Sequence, residues 1–321
     1  MKRFIIQIFK GLFFFIVINV IVNFYYEYSS YKAIYNKTHK NYLKWVNIHK
    51  KKNNFEIIIL GTSRAYSAYN PKIIDSILNT QSFNMGTSAQ DIAESYYTLK
   101  EIYEYQSPKY IFLDVFLPSS DNSHDFSQVF SNASFFSSFE NKSNLIIEGF
   151  GKTGVLNYFI PVLKFNNHMK QDLLGVFAKN KTPRKEDNWI NGYLYDTTTV
   201  SLKNIKDFKP ISNFNNTQFN EDRFLKYFNK IKDICNNHNT KLICIRAPYP
   251  PTRLQLSKKD EENLFFKEFM KNQNTPYYDL NTFKSNTYFY NDEDFADYHH
   301  ANYKAANKAS KQVTDILMNN F

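Results

Sequence analysis

The run Phe55-Glu56-Ile57-Ile58-Ile59-Leu60, closed by Gly61-Thr62-Ser63-Arg64, constrains the fold most. Four consecutive aliphatic residues leave no polar face, so they demand burial on both sides, as in a strand inside a parallel sheet. Beyond Arg64 the chain alternates between helical and strand patterns. Pro71 opens a short helix through Leu78, Gln81–Met85 is a short strand ended by Gly86, and Ala89–Tyr105 is a helix striped by Ile92, Tyr96, Leu99 and Tyr103. A strand over 109–116 closes this first half. Further on, Gln218–Asn236 predicts a helix, Lys241–Arg246 a strand, Lys258–Asn272 a helix, Pro276–Leu280 a short strand and Tyr303–Asn319 a final helix. Strands alternating with helices of this length predict an α/β, doubly wound parallel sheet, flavodoxin-like in its three layers, with right-handed crossovers.

A serine at the C-terminal end of such a strand lies where open α/β sheets place their ligands. Ser63 is in that position, and Asp297-Tyr298-His299-His300-Ala301-Asn302 near the other end of the chain offers a carboxylate and imidazoles. Together they contain the parts of a nucleophilic serine site: Ser63 as nucleophile, His300 as base and Asp297 to orient the base. The bland alternatives are a helix-capping Ser63, a packed His300 and an Asn302 that caps the last helix. His299 is the alternative base. Arg64 and Arg246 fall on the same expected face, where each could meet an anionic substrate or form a structural salt bridge. Asn84 reads as structural.

These motifs resemble the SGNH (GDSL-type) hydrolases, in which Gly-x-Ser after the first strand carries the nucleophile and a C-terminal Asp-x-x-His carries the other two triad members. With an apolar N-terminus, the chain is similar to the SGNH-like proteins of cell-envelope polysaccharide modification, of the D-alanyl-transfer and alginate-acetylation kind. The resemblance covers residues 54–117 and 217–321. It implies Ser63, His300 and Asp297 as the triad. It also implies the N–H groups of Ser63 and of Gly86, in Asn84-Met85-Gly86-Thr87-Ser88, as oxyanion donors. One block departs. The family's Gly-x-Asn-Asp after the third strand is replaced here by Leu117-Pro118-Ser119-Ser120-Asp121-Asn122. A side-chain oxyanion donor is therefore missing, a loss of about 10²–10³ in rate unless Ser119, Ser120 or Asn122 replaces it. The implied activity is a serine esterase or O-acyltransferase on acyl esters of a cell-surface polysaccharide, without cofactor, with a multi-pass membrane O-acyltransferase as partner. The alternative is a non-catalytic glycan-binding or assembly-scaffold protein of the same fold.

Residues 4–26 are almost wholly apolar or aromatic behind Lys2 and Arg3, long enough to cross a bilayer core of about 30 Å. Lys10 lies near enough to the charged end to snorkel. The expected order is a membrane anchor over 1–29, a helical polar stalk over 30–53 and the α/β domain over 54–321. The domain is expected to face the extracytoplasmic side, because long domains translocate largely regardless of flanking charge. Residues 118–216 are too long for a loop and predict an inserted, partly helical cap beside the site. The net charge of +10 suits an anionic envelope; the scattered lysines argue against nucleic acid. Cys235 and Cys244 fit no zinc or redox spacing, and the histidines form no ligand-spaced cluster, so no metal is expected.

Overall fold

The structure is a computed structural model that describes residues 1–25, 40–50, 53–116, 129, 132–166, 169, 188–200, 219–256, 260–282 and 288–320. In chain order its elements begin with α1 (Lys2–Asn23), α2 (Lys40–Lys50), β1 (Ile57–Leu60), α3 (Ser63–Ala68) and α4 (Pro71–Leu78). Then come β2 (Ser82–Asn84), α5 (Ile92–Tyr103), β3 (Tyr110–Asp114), α6 (Phe139–Phe159, broken at Gly151) and α7 (Pro161–Lys164). A hairpin of β4 (Trp189–Ile190) and β5 (Tyr193–Leu194) is next, then α8 (Glu221–Asn237), β6 (Lys241–Arg246) and α9 (Pro251–Leu256). The chain ends with α10 (Glu261–Asn272), β7 (Tyr277–Asp279), a 3₁₀ turn at Asp292–Asp294 and α11 (Tyr303–Asn320).

The chain divides into two compact units, residues 1–43 with 129–186, and residues 44–128 with 187–321. The second holds, among the described residues, a five-stranded sheet in the order β2-β1-β3-β6-β7. Every pairing in it is parallel. This is the doubly wound arrangement the sequence predicts. Its switch point lies between β1 and β3, where the crossovers change direction. On one face Ile57, Ile59, Phe112, Ile243 and Ile245 pack with Ala65, Ile74, Ala305, Ala309 and Val313 of α3, α4 and α11. Strand alternation turns Ile58, Ile111 and Cys244 to the other face, and each is fully buried. The helices α5, α8 and α10 are joined through Tyr96 and Tyr227, and through Phe224 with Phe266 and Phe269.

Local chemistry sets the boundaries. Asn70 caps α4 ahead of Pro71, Asp91 caps α5, and Asn220 caps α8, each side chain accepting an amide of the first turn. Of the segment 30–53 expected as a helical polar stalk, residues 30–39 and 51–52 lie outside the described residues, and Lys40–Lys50 is helical. Trp45 and Ile48 are buried, and Ile48 O accepts from Gln106 Nε2 at 2.7 Å. His49 lies against Tyr105 with ring centroids 4.4 Å apart. Residues 129–186 of the expected cap group with residues 1–43 rather than with the α/β unit. Cys235 and Cys244 are free, buried thiols.

Candidate active site

Gly61 turns the chain out of β1 with φ of 144°, a conformation that L side chains rarely adopt. It also lies so close to β3 that a Cβ here would come within 2.8 Å of Asp114 Cβ. Both facts make this position a glycine. Thr62 then caps α3, its hydroxyl accepting from Arg64 N at 3.2 Å. Ser63 becomes the first residue of α3, at the switch point of the sheet.

The imidazole comes from the loop between the 3₁₀ turn and α11. Phe295 and Ala301 are bridged in antiparallel fashion, and Ala296 N donates to His300 O at 2.9 Å. Asn302, wholly buried, ties the loop's base. Its Nδ2 donates to Glu293 O at 2.8 Å and Thr198 O at 3.0 Å, while Oδ1 accepts from Lys304 N at 2.9 Å. Asn302 thus caps α11 and anchors the loop at once.

Ser63 Oγ lies 2.8 Å from His300 Nε2, and His300 Nδ1 lies 2.8 Å from Asp297 Oδ2. Asp297 Oδ1 accepts from the amides of His299 at 2.6 Å and His300 at 2.8 Å. Burial by itself would raise the Asp297 carboxyl. The His300 ring and the two amides outweigh it and hold the carboxyl at about 2. The ionised carboxylate places the ring proton on Nδ1, which leaves Nε2 to accept from the Ser63 hydroxyl. His300 and Asp297 side chains remain 32% and 45% exposed, so the chain of bonds is open to a ligand.

His299 is differently placed. Its Nδ1 sits 2.6 Å from Arg253 Nη1, and burial, then the Arg253 and Arg64 charges, push its pKa down to about 3. It is a neutral ring bound to a cation, and the imidazole within hydrogen-bond distance of Ser63 Oγ is that of His300.

The two backbone donors differ. Ser63 N–H, in the first turn of α3, donates no hydrogen bond among the described residues. Gly86 N–H donates to Asn84 Oδ1 at 3.0 Å. Asn84 is fully buried, and its Nδ2 donates to Ala65 O and Tyr69 O, both at 2.9 Å. The structural reading of Asn84 therefore fits. Thr87 N donates to Gly61 O at 3.0 Å, which holds Gly86 beside α3; a Cβ at Gly86 would lie 3.1 Å from Thr62 O. Ser119, Ser120 and Asn122, the sequence's replacement donors, lie outside the described residues.

Arg64 and Arg246 require correction as substrate contacts. Arg64 is 1% exposed, donates to Tyr249 Oη and Ala247 O, both at 2.6 Å, and lies 3.8 Å from the Tyr249 ring. Arg246 is 2% exposed and donates to Asp260 at 2.7 Å, Glu262 at 2.9 Å and Asp279 at 3.0 Å. Both guanidiniums are buried and bonded to the protein, Arg64 to a hydroxyl and a carbonyl and Arg246 to three carboxylates.

Other residues near the site escape the sequence reading. Lys44 is buried, donates to Gly86 O, and sits 5.4 Å over Tyr66 and 5.2 Å over Trp189. Asn191-Gly192 turns β4 into β5 with both φ positive, and Asn84 N donates to Asn191 O at 2.9 Å. An Asn-Gly pair is the hairpin signal that could have found this element. Asp114, at the end of β3, accepts from Tyr69 Oη at 2.9 Å and Ala247 N at 2.8 Å. Burial, opposed by Arg64 and these two donors, pushes its carboxyl up to about 6.

Comparison with known proteins adds little to this geometry. One family model, whose description names no activity, matches residues 196–321. No curated protein matches the chain. A solved structure from Bacteroides fragilis, provisionally described as an acylhydrolase, aligns with 86% of this chain and 94% of its own at 10% identity and a TM-score of 0.40.

Proposed function

We propose that this chain is a membrane-tethered serine acyl hydrolase or O-acyltransferase that acts through Ser63, His300 and Asp297. The hydrogen-bonded run from Ser63 Oγ through His300 to Asp297 carries the reading. Ser63 Oγ attacks the ester carbonyl carbon while His300 Nε2 takes its proton, and Asp297 stabilises the resulting imidazolium. Ser63 N–H meets the oxyanion, joined by Gly86 N–H as that amide divides between Asn84 and substrate. His300 then protonates the leaving alcohol, and the acyl group stays on Ser63. A second pass, with His300 removing a proton from water or from a glycan hydroxyl, releases the acid or the new ester.

The net charge of +10 suits an anionic cell-surface polysaccharide as acyl donor or acceptor, on the extracytoplasmic side. A multi-pass membrane O-acyltransferase is the partner that would supply acyl groups there. The anchor is α1, whose residues are all apolar or polar-uncharged from Gly11 to Asn23 and none of which is buried. Gly86's engagement favours the rival reading of a non-catalytic glycan-binding or scaffold protein, and kinetics separate the two. With a nitrophenyl acyl ester the enzyme should release nitrophenol in a burst of one equivalent, then turn over slowly, for lack of a third oxyanion donor. A glycan acceptor should speed the slow phase if the enzyme transfers. Fast multiple turnover would refute the donor deficit; no burst from folded protein would favour the scaffold.

A further inference from the structure

In the first unit, α1 does not stand alone. Its last third meets α7 and the end of α6. Asn19 Oδ1 accepts from Val162 N at 3.1 Å, and Asn19 Nδ2 donates to Phe15 O at 2.9 Å. Phe15, Ile16, Val20 and Phe24 line a cleft of about 580 Å³ with Phe159 and Ile160. Val162 N–H belongs to the first turn of α7, behind Pro161. Such an amide has no partner within its own helix. In water the solvent satisfies it; in hydrocarbon an unmet amide costs several kcal/mol, so a side chain must supply the acceptor. Asn19 supplies it, one helical turn before the end of α1, about 6 Å along the axis.

The segment that meets α1 is itself apolar outward. Leu156 is 59% exposed, Phe159 38% and Leu163 44%. Between residues 152 and 165 the only charges are Lys152 and Lys164, with no acidic residue. Lys164 Nζ folds over the Tyr158 and Phe165 rings at 4.5 and 5.2 Å. Lysines flanking an outward apolar face, with aromatic rings beside them, make the pattern of an interfacial membrane segment.

We infer that residues 152–165 form a second membrane-contacting element, with Leu156, Phe159 and Leu163 in the acyl region and the two lysines at anionic headgroups. Direct packing of this segment on α1, through Asn19 and Val162 and the shared cleft, selects the bilayer as occupant. This inference rests on α1 as the anchor. The test uses the full chain in vesicles of phosphatidylcholine and phosphatidylglycerol. Single cysteines at Leu156, Leu163, Phe13 and Leu264 each carry an environment-sensitive fluorophore. Cys235 and Cys244 are buried and do not compete. Labels at Leu156 and Leu163 should be blue-shifted, lose most of their emission to brominated lipids and ignore aqueous iodide. The label at Phe13 should do the same, and the one at Leu264 the reverse. Iodide quenching at Leu156 and Leu163 beside lipid quenching at Phe13 would overturn this inference alone. Shielding of both from lipid and iodide would mean that protein covers the face, and would also overturn it. Iodide quenching at Phe13 would remove the anchor itself.

Discussion

Two polar clusters gather at the C-terminal ends of the strands, and they have opposite characters. Around Arg246 at the end of β6, three carboxylates converge on a guanidinium that is 2% exposed, and Asp279 is as deeply enclosed. Around Ser63 at the end of β1, the same kinds of atoms form a line, and its His300 and Asp297 are about a third to a half open. A closed cluster spends every donor on the protein and can only hold it together. An open line, with a hydroxyl at its end, has somewhere to send a proton. Charge at the end of a strand thus says little until the counter-ions are found.

The contrast can be broken in three ways, taken in order of size. Asp297→Asn should slow acylation of Ser63 by about 10⁴, through loss of the correct imidazole tautomer, with melting almost unchanged. A normal acylation rate in this variant would reduce the triad to a packing device. Arg246→Met should leave the buried Asp279 and the partly buried Asp260 and Glu262 without their guanidinium and cost about 3–5 kcal/mol of stability. Its acylation rate, measured below its melting temperature, should stay near that of the native chain. A stable variant with lost acylation would instead put Arg246 in the site.

The third test is a titration. Asp114 has its pKa raised from 3.8 to about 6. Its contribution to stability is therefore fully present below pH 3.8 and is lost as pH rises through 6. The loss amounts to about 3 kcal/mol at about 1.4 kcal/mol per unit. Asp114→Asn keeps an acceptor for Tyr69 and Ala247 and removes the titration. Relative to the native chain it should gain stability between pH 4 and 7, as read from denaturant unfolding. A difference that does not change with pH would mean that Asp114 titrates alike in both states.

The features legible in the sequence were those set by periodicity and covalent punctuation. Ile57–Leu60 could only be an interior strand, and Pro71 marked the start of α4. Asp297 and His300 were readable because they share one short loop. Burial of Arg64 and Arg246 was not readable, since Asp260, Glu262 and Tyr249 come from other elements. Helix α9 lies between the predicted strand Lys241–Arg246 and the predicted helix Lys258–Asn272; six residues carry little period, and only Pro251, which opens it, marks its start. Strands of two residues, as in β4 and β5, carry no period, and only Asn191-Gly192 announced them. Trp45 and Ile48 in a lysine-rich helix were outvoted by its polarity, and tertiary packing decided otherwise.

The central claim is that Ser63 is a nucleophile driven by His300. A fluorophosphonate probe, added to the full chain in detergent and traced by peptide mass spectrometry, tests it most directly. The expected result is stoichiometric phosphonylation of Ser63, absent in Ser63→Ala and nearly absent in His300→Ala. Protein that melts normally yet carries no adduct on Ser63, or an adduct that persists in Ser63→Ala, would contradict it.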